Sequence, residues 1–382
     1  MTPRQSIGVV GGGQLAWMLA DAAHQLGIAL HVQTPSPADP AFAAASSVVQ
    51  ADLRHVPATR ELAQRCEVIT FENEWVDLKA LAPLAMEGVL FMPSLEALAP
   101  LVCKREQRAL LQNLDLPTPA WCELPADGVL PAGMAFPLMA KAVVGGYDGK
   151  GTAVLRDQAD LDALVARVEP VDWILEAFVE FELELSQLAC RDSQGQVHCY
   201  PLVQTHQHHQ VCDWVLTPAA VPHGVQAFAR NIAASLLTAL QYEGVLSIEL
   251  FYGAAGLQVN EIAPRTHNSG HVTIEASHTS QFEQQVRIAA GLPMGPVGLK
   301  VPGALMVNLL GFESSSSDYP SQRAELAALP GASLHWYGKQ GSSPGRKLGH
   351  ITLLLEGDSP QERQQQAMER LEQVRRIWPL PA

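Results

Sequence analysis

The chain is 382 residues long, enough for two or three domains with sizeable cores. Hydrophobic residues make up 47% and charged residues 17%, which excludes a disordered chain; the net charge of −14 argues against nucleic acid or an anionic membrane as a general partner. Six scattered cysteines with no C-x-x-C pair read as buried thiols of a reducing compartment rather than as zinc ligands or disulfides. No stretch approaches the roughly 20 apolar residues of a membrane span. The first residues carry no signal-peptide h-region, so a cytoplasmic protein is expected.

Residues 6–100 alternate strands and helices. An apolar strand at 7–10 leads into GGGQ, then a helix at 15–26 that ends at Gly27. Further strands are expected at 28–32 and 67–71, a βαβ rhythm that predicts a parallel sheet with helices on both faces. The turn Gly11-Gly12-Gly13-Gln14-Leu15-Ala16 satisfies G-x-G-x-x-G/A in the strand–turn–helix setting of a dinucleotide site. That signature needs an acid about 20 positions on to hold the ribose, and Gln33 and Thr34 stand there instead. The loop therefore reads either as a grip on another phosphate-bearing substrate or as a plain turn.

A helix-rich connector follows at 95–121, where Pro117 and Pro119 stop the helix. From 121 to 298 the chain holds six strand-like runs and one long helix near 225–241, an α+β region with largely antiparallel pairing. Shorter strands occupy 299–354. The tail at 359–377 reads as an amphipathic closing helix with Met368, Leu371 and Val374 on one face.

Within this frame, KAVVGGYDGKGT at 141–152 packs glycines and lysines after an apolar run, yet it is not a Walker loop. Gly149-Lys150 is followed by Gly151, and Val144 stands where the first glycine belongs. Glu249 and Glu261 fall on two strands joined by the hairpin-like YGAAG, among Ile248, Leu250, Val259 and Ile262. Carboxylates brought together in apolar surroundings repel unless a cation lies between them, and magnesium suits such hard oxygen ligands. Exposed strand charges are the plainer alternative. Arg265, His267, Asn268, Ser269 and His271 crowd the next segment, too polar for a core strand and close to the expected metal site. His206 and His208 share a strand face without further ligands, and read as a polar strand end.

Taken together these segments resemble the ATP-grasp family, and within it the enzymes that carboxylate 5-aminoimidazole ribonucleotide in purine biosynthesis. The resemblance runs from GGGQL at Gly11 to PGRKLGH at 344–350. NEIAPRTHNSGH, TSQFEQ and GLPMG are its most specific segments, with GGYDGKG close behind. It implies an α/β and α+β fold of three parts: a Rossmann-like pre-ATP-grasp domain at 1–100, an ATP-grasp domain at 101–298 and a small β-rich domain with a closing helix at 299–382. A flap subdomain at about 121–180 belongs to the second part, and its glycine-rich segment is expected to close over triphosphate.

The same resemblance implies roles by position. Lys104 and Lys141 contact ATP phosphates, with Gly146 and Gly149 in the flap; Glu176, Ala177, Phe178 and Val179 meet adenine through backbone groups, and Glu184 holds the ribose. Glu249 and Glu261 ligate magnesium, or manganese in its place, with Asn260 beside them. Tyr147 and Asp148 face the aminoimidazole, Asp148 to orient its amine or take its proton, and Arg265 and Asn268 complete the catalytic set. Gln14, Leu15 and Glu72 line the same cleft, and Lys339 and Arg346 grip the ribose phosphate. Bicarbonate is the implied co-substrate, activated as carboxyphosphate by positioning and electrostatics. A homodimer without nucleic-acid or membrane partners is expected. The chain departs from the family pattern at Ala16, Trp17, Val143, Val144, Thr205, Gln207 and Ser343. Two alternatives stay open: another ATP-grasp ligase, such as a formate-using purine transformylase, and a nucleotide-binding relative without activity.

Overall fold

Short apolar runs and glycine turns at the start of the chain build a parallel sheet in a computed structural model that describes residues 2–146 and 151–381. Its order is Ser47–Gln50, Ala29–Thr34, Ser6–Val10, Val68–Phe71, all parallel. Ile7 and Val9 face one side with helix Gln14–Gln25, while Val10, Ile69 and Phe71 face helices Val56–Ala63 and Leu78–Met86 on the other. Both faces are covered, as a parallel sheet requires. Strand Ser47–Gln50 has no counterpart in the sequence reading, because four residues at a sheet edge carry too little pattern.

A second sheet of four short antiparallel strands runs Trp121–Glu123, Trp173–Ala177, Leu138–Ala142, Thr152–Leu155, with helix Gln158–Val165 packed on it. Tyr147, Asp148 and Gly149, three of the residues assigned roles above, lie outside the described residues.

The third sheet has nine strands and dominates the molecule. Its path is Gly256–Ala263, Gly244–Gly253, Leu183–Arg191, Val203–His208, Val211–Thr217, Gly303–Leu310, Lys347–Leu355, Ala332–Trp336, with Val197–Cys199 paired beside Leu183–Arg191. Residues 197–203 read as one strand in sequence; the ladder breaks at Pro201, which has no N–H to donate. Strand Gly303–Leu310 pairs directly with Val211–Thr217, so hydrogen bonding runs unbroken across residue 298.

Two helices tie the parts together. Gln281–Ala290 lies between the parallel sheet and the large one. Its Gln285 accepts from the Val245 backbone N–H at 2.7 Å and donates to the Thr70 hydroxyl at 3.1 Å. Pro360–Ile377 starts from a capping box of Ser359 and Glu362. It is followed by Trp378, fully buried, whose indole N–H donates to the Leu310 carbonyl at 2.7 Å. Among the described residues no helix is long and apolar enough to cross a membrane.

Candidate functional site

The hairpin Gly244–Gly253/Gly256–Ala263 sets the geometry. Glu249 pairs with Glu261 across it, but Leu250 pairs with Val259, leaving Asn260 as the extra residue of a β-bulge. A bulge re-aims the side chain of its extra residue. Strict alternation would send Asn260 to the face opposite Glu261; instead its Nδ2 donates to Glu249 Oε2 at 3.3 Å, and its Oδ1 accepts from Lys141 Nζ at 2.9 Å. Two carboxylates and an amide oxygen thus share one side of the sheet. Burial, and then the like charges of Glu261 and Glu184, push the Glu249 carboxyl up to about 7. A carboxylate pair brought together in this way fits a divalent cation with oxygen ligands.

Cations surround the pair. Lys104, at the first position of helix Lys104–Asn113, forms an ion pair with Glu261. One turn on, buried Arg108 donates to Glu176 at 2.7 Å and to the carbonyls of Val259 and Asn260 at 3.0 and 2.6 Å. Lys141 reaches the other oxygen of Glu176 at 2.9 Å. Burial works against charge on Glu176, but Lys141 and Arg108 together overcome it and hold the carboxyl below its ordinary range. Glu184, on strand Leu183–Arg191, is pushed up to about 7 by burial.

His267 approaches from the segment after the hairpin. Its Nδ1 faces the Ser269 hydroxyl at 2.9 Å and accepts from the Ser269 backbone N–H at 3.4 Å. The ring proton therefore sits on Nε2, 3.4 Å from Glu249 Oε1. Burial, with the charges of Arg265 and Lys347, lowers this imidazole well below its usual pKa and keeps it neutral. The same lysine charge acts on Glu249.

The glycine turn of the parallel sheet answers its own question. Glu72 Oε2 accepts from the Gly13 N–H at 2.9 Å, and Oε1 from the Leu15 N–H at 3.3 Å. A side-chain carboxylate thus occupies the anion position at the start of helix Gln14–Gln25. A Cβ on Gly13 would fall 2.3 Å from Glu72, and one on Gly12 2.2 Å from the Thr34 hydroxyl. The glycines admit Glu72 and Thr34, which leaves no room for a pyrophosphate against the loop. Two residues on, Glu74 forms an ion pair with Arg265 at 2.6 Å. Glu74, Lys104, Glu261, Val144, Gly145 and Gly146 line one cleft.

Comparison with known families places the parts. The ribonucleotide synthetase preATP-grasp domain matches residues 4–101, the ATP-grasp domain 109–282, and the phosphoribosylaminoimidazole carboxylase C-terminal domain 304–366. N5-carboxyaminoimidazole ribonucleotide synthase of Synechococcus elongatus is 52% identical over 385 residues, covering 100% of this chain and 97% of the relative. The chain belongs to the N5-carboxyaminoimidazole ribonucleotide synthase family of ATP-grasp ligases. The synthase of Pseudomonas aeruginosa is 38% identical over 91% of this chain and 94% of its own. Among solved structures, the Thermus thermophilus synthetase superposes with a TM-score of 0.86 at 33% identity, covering 97% of this chain and 98% of that one. The Aspergillus clavatus synthase in complex with ADP and 5-aminoimidazole ribonucleotide gives 0.87 at 29% identity, covering 98% and 100%.

Within this synthase fold, Lys104, Lys141, Glu176, Glu249, Asn260 and Glu261 form one connected set, and Gln14, Leu15 and Glu72 form another at the glycine turn. Ala177 and Phe178 already give their N–H groups to the carbonyls of Ala120 and Pro137, at 2.8 and 3.3 Å. Asn268 exchanges two amide hydrogen bonds with Asn308, at 3.0 and 2.7 Å. Arg346 turns back onto the carbonyls of Gln340 and Gly341, at 2.5 and 2.7 Å, and Lys339 lies over the Tyr337 ring. Arg108, Glu74, His267 and Lys347 were not assigned roles from sequence. Arg108 had a signal: it lies four residues after Lys104, on the same helical face, at a position that packs inward. The tautomer of His267 had none.

Proposed function

We propose that the chain uses ATP and bicarbonate to carboxylate 5-aminoimidazole ribonucleotide to its N5-carboxy derivative. The juxtaposition of Glu249, Glu261 and bulged Asn260 beside two lysines carries this reading. A cytoplasmic homodimer belongs to the same proposal, as does the division into parts at 1–100, 101–298 and 299–382.

Glu249 and Glu261 would hold the magnesium, with the Asn260 amide orienting Glu249. When bound, the ion would supply positive charge that offsets the triphosphate. Lys104 and Lys141 offset the remaining phosphate charge, and the Arg108–Glu176 pair fixes Lys141 in place. Ala177, Phe178 and Val179 border the adenine with their remaining backbone groups, and Glu184 takes the ribose hydroxyls. The neutral His267 Nε2–H, with the charges of Lys347 and Arg265 acting on the same neighbourhood, suits an anionic co-substrate beside Glu249. Held in line there, a bicarbonate oxygen attacks the γ-phosphorus, the bond to the bridging oxygen breaks and ADP leaves, so that carboxyphosphate forms through positioning and electrostatics. Gln14 and Glu72 face the ribonucleotide from the glycine turn, and Lys339 and Arg346 bind its phosphate. Asp148 orients the amine or takes its proton as the nitrogen captures the carboxyl group and inorganic phosphate leaves.

Phosphate release tests this directly. Bicarbonate with 5-aminoimidazole ribonucleotide is expected to stimulate ATP turnover, whereas formate with glycinamide ribonucleotide is not. Stimulation by the second pair alone would assign the chain to transformylation, and stimulation by neither would leave a nucleotide-binding relative.

A further inference from the structure

Tyr337 begins the 337–346 loop, between strands Ala332–Trp336 and Lys347–Leu355, and its ring is 3% exposed. Three contacts orient it. Its backbone N–H donates to the Leu348 carbonyl at 3.0 Å, its hydroxyl lies 2.8 Å from His350 Nδ1, and Trp17 meets the ring edge-on with centroids 6.2 Å apart. Burial, reinforced by His271 and His335, lowers the His350 imidazole well below its usual pKa, and burial raises the Tyr337 phenol. The phenol therefore keeps its proton beside a neutral ring, and rotation of Tyr337 would break a buried hydrogen bond. Lys339 Nζ stands 5.4 Å from the ring centroid.

We infer that Tyr337 is a positioning residue for the substrate phosphate: its ring face holds the Lys339 ammonium ready for the anion, and Trp17 steadies that ring from the N-terminal helix. The inference rests on the assignment of Lys339 to the ribonucleotide phosphate. A lysine swings on a flexible four-carbon stem and loses much rotamer freedom when it grips an anion. A ring that already restricts the ammonium lowers that loss without altering its charge, which is preorganisation. The arrangement also gives Trp17 a role. In this chain the position supplies an aromatic edge that ties helix Gln14–Gln25 to the phosphate loop.

Steady-state kinetics of the whole enzyme with Tyr337→Leu, Lys339→Met and the double variant test the inference. Lys339→Met is expected to raise the KM for the ribonucleotide. Tyr337→Leu should raise it about fivefold, with kcat and the KM for ATP within about twofold of the parent. The double variant should match Lys339→Met alone, because the ring acts through the lysine. Additive effects, an unchanged ribonucleotide KM in Tyr337→Leu, or an equal rise for ATP would each overturn the positioning role. Should Tyr337→Leu fail to fold, Trp17→Leu takes its place, with an expected rise of about two- to threefold in the ribonucleotide KM; no rise would overturn the inference. An unchanged ribonucleotide KM in Lys339→Met would instead remove the phosphate assignment itself, and the inference with it.

Discussion

Glu249 and Glu261 face each other across a hairpin, and after burial the charge of Glu261 does most to raise the Glu249 carboxyl through their repulsion. Glu249→Gln and Glu261→Gln keep shape while removing one charge, and relieve that repulsion. Each is expected to lower ATP turnover by at least about a hundredfold with thermal stability unchanged or raised. Phosphate release beside a melting curve checks this, and normal turnover in both variants would remove the metal assignment. Glu176 is the opposite case: 2% exposed and held by two cations. Glu176→Gln leaves Arg108 and Lys141 without a counter-charge and should cost about 3–5 kcal/mol. The pH dependence follows from the lowered carboxyl of Glu176. Its stabilisation is complete above the unfolded carboxyl pKa of about 4.3 and is lost as pH falls through the lower folded value. Denaturant unfolding should therefore show the parent losing more stability than the variant between about pH 5 and pH 3. A constant difference between the two would show that the Glu176 carboxyl is not lowered on folding.

At the scale of the element, the bulge at Asn260 and the loop at 337–346 do what regular secondary structure cannot. The bulge places three oxygen-bearing side chains on one side of a hairpin whose alternation would admit two. The loop brings Arg346 and Lys339 onto a chain otherwise rich in acid, and Arg346 also bonds two loop carbonyls. Arg346→Ala removes a charge from the proposed phosphate site and loosens the loop. It is expected to raise the KM for the ribonucleotide about tenfold or more, with the KM for ATP little changed. Initial-rate measurements against each substrate separate the two; an equal rise for both would place Arg346 elsewhere in the reaction.

At the scale of the whole molecule, the large sheet joins what the sequence divides. Strand Val211–Thr217 is buried along its whole length, and Gly303–Leu310 covers one edge of it. A chain ending at residue 298 would expose that apolar edge, a template for aggregation. Such a truncation is expected to give no soluble, cooperatively folded protein, as judged by size-exclusion chromatography and circular dichroism. A monodisperse, folded fragment would show that the third block is an independent unit despite the shared sheet.

Local pattern alone determined a great deal. The βαβ rhythm, the hairpin that carries Glu249 and Glu261 and the closing helix were all readable, because each depends on residues near one another in the chain. The lack of an acid at Gln33 and Thr34 was readable too. Only the tertiary structure decided what fills the glycine turn, because Glu72 arrives from a strand some sixty residues on, in contact with Gly13. It alone placed Asn260, since a bulge is a mismatch between two strands and neither strand's sequence records it. It also decided that Glu176 is clamped between Arg108 and Lys141, and that Trp17 meets Tyr337. In each case the partner is distant in sequence, and the physical term that matters, desolvation of a charge or contact with a ring face, exists only once the chain has closed around it.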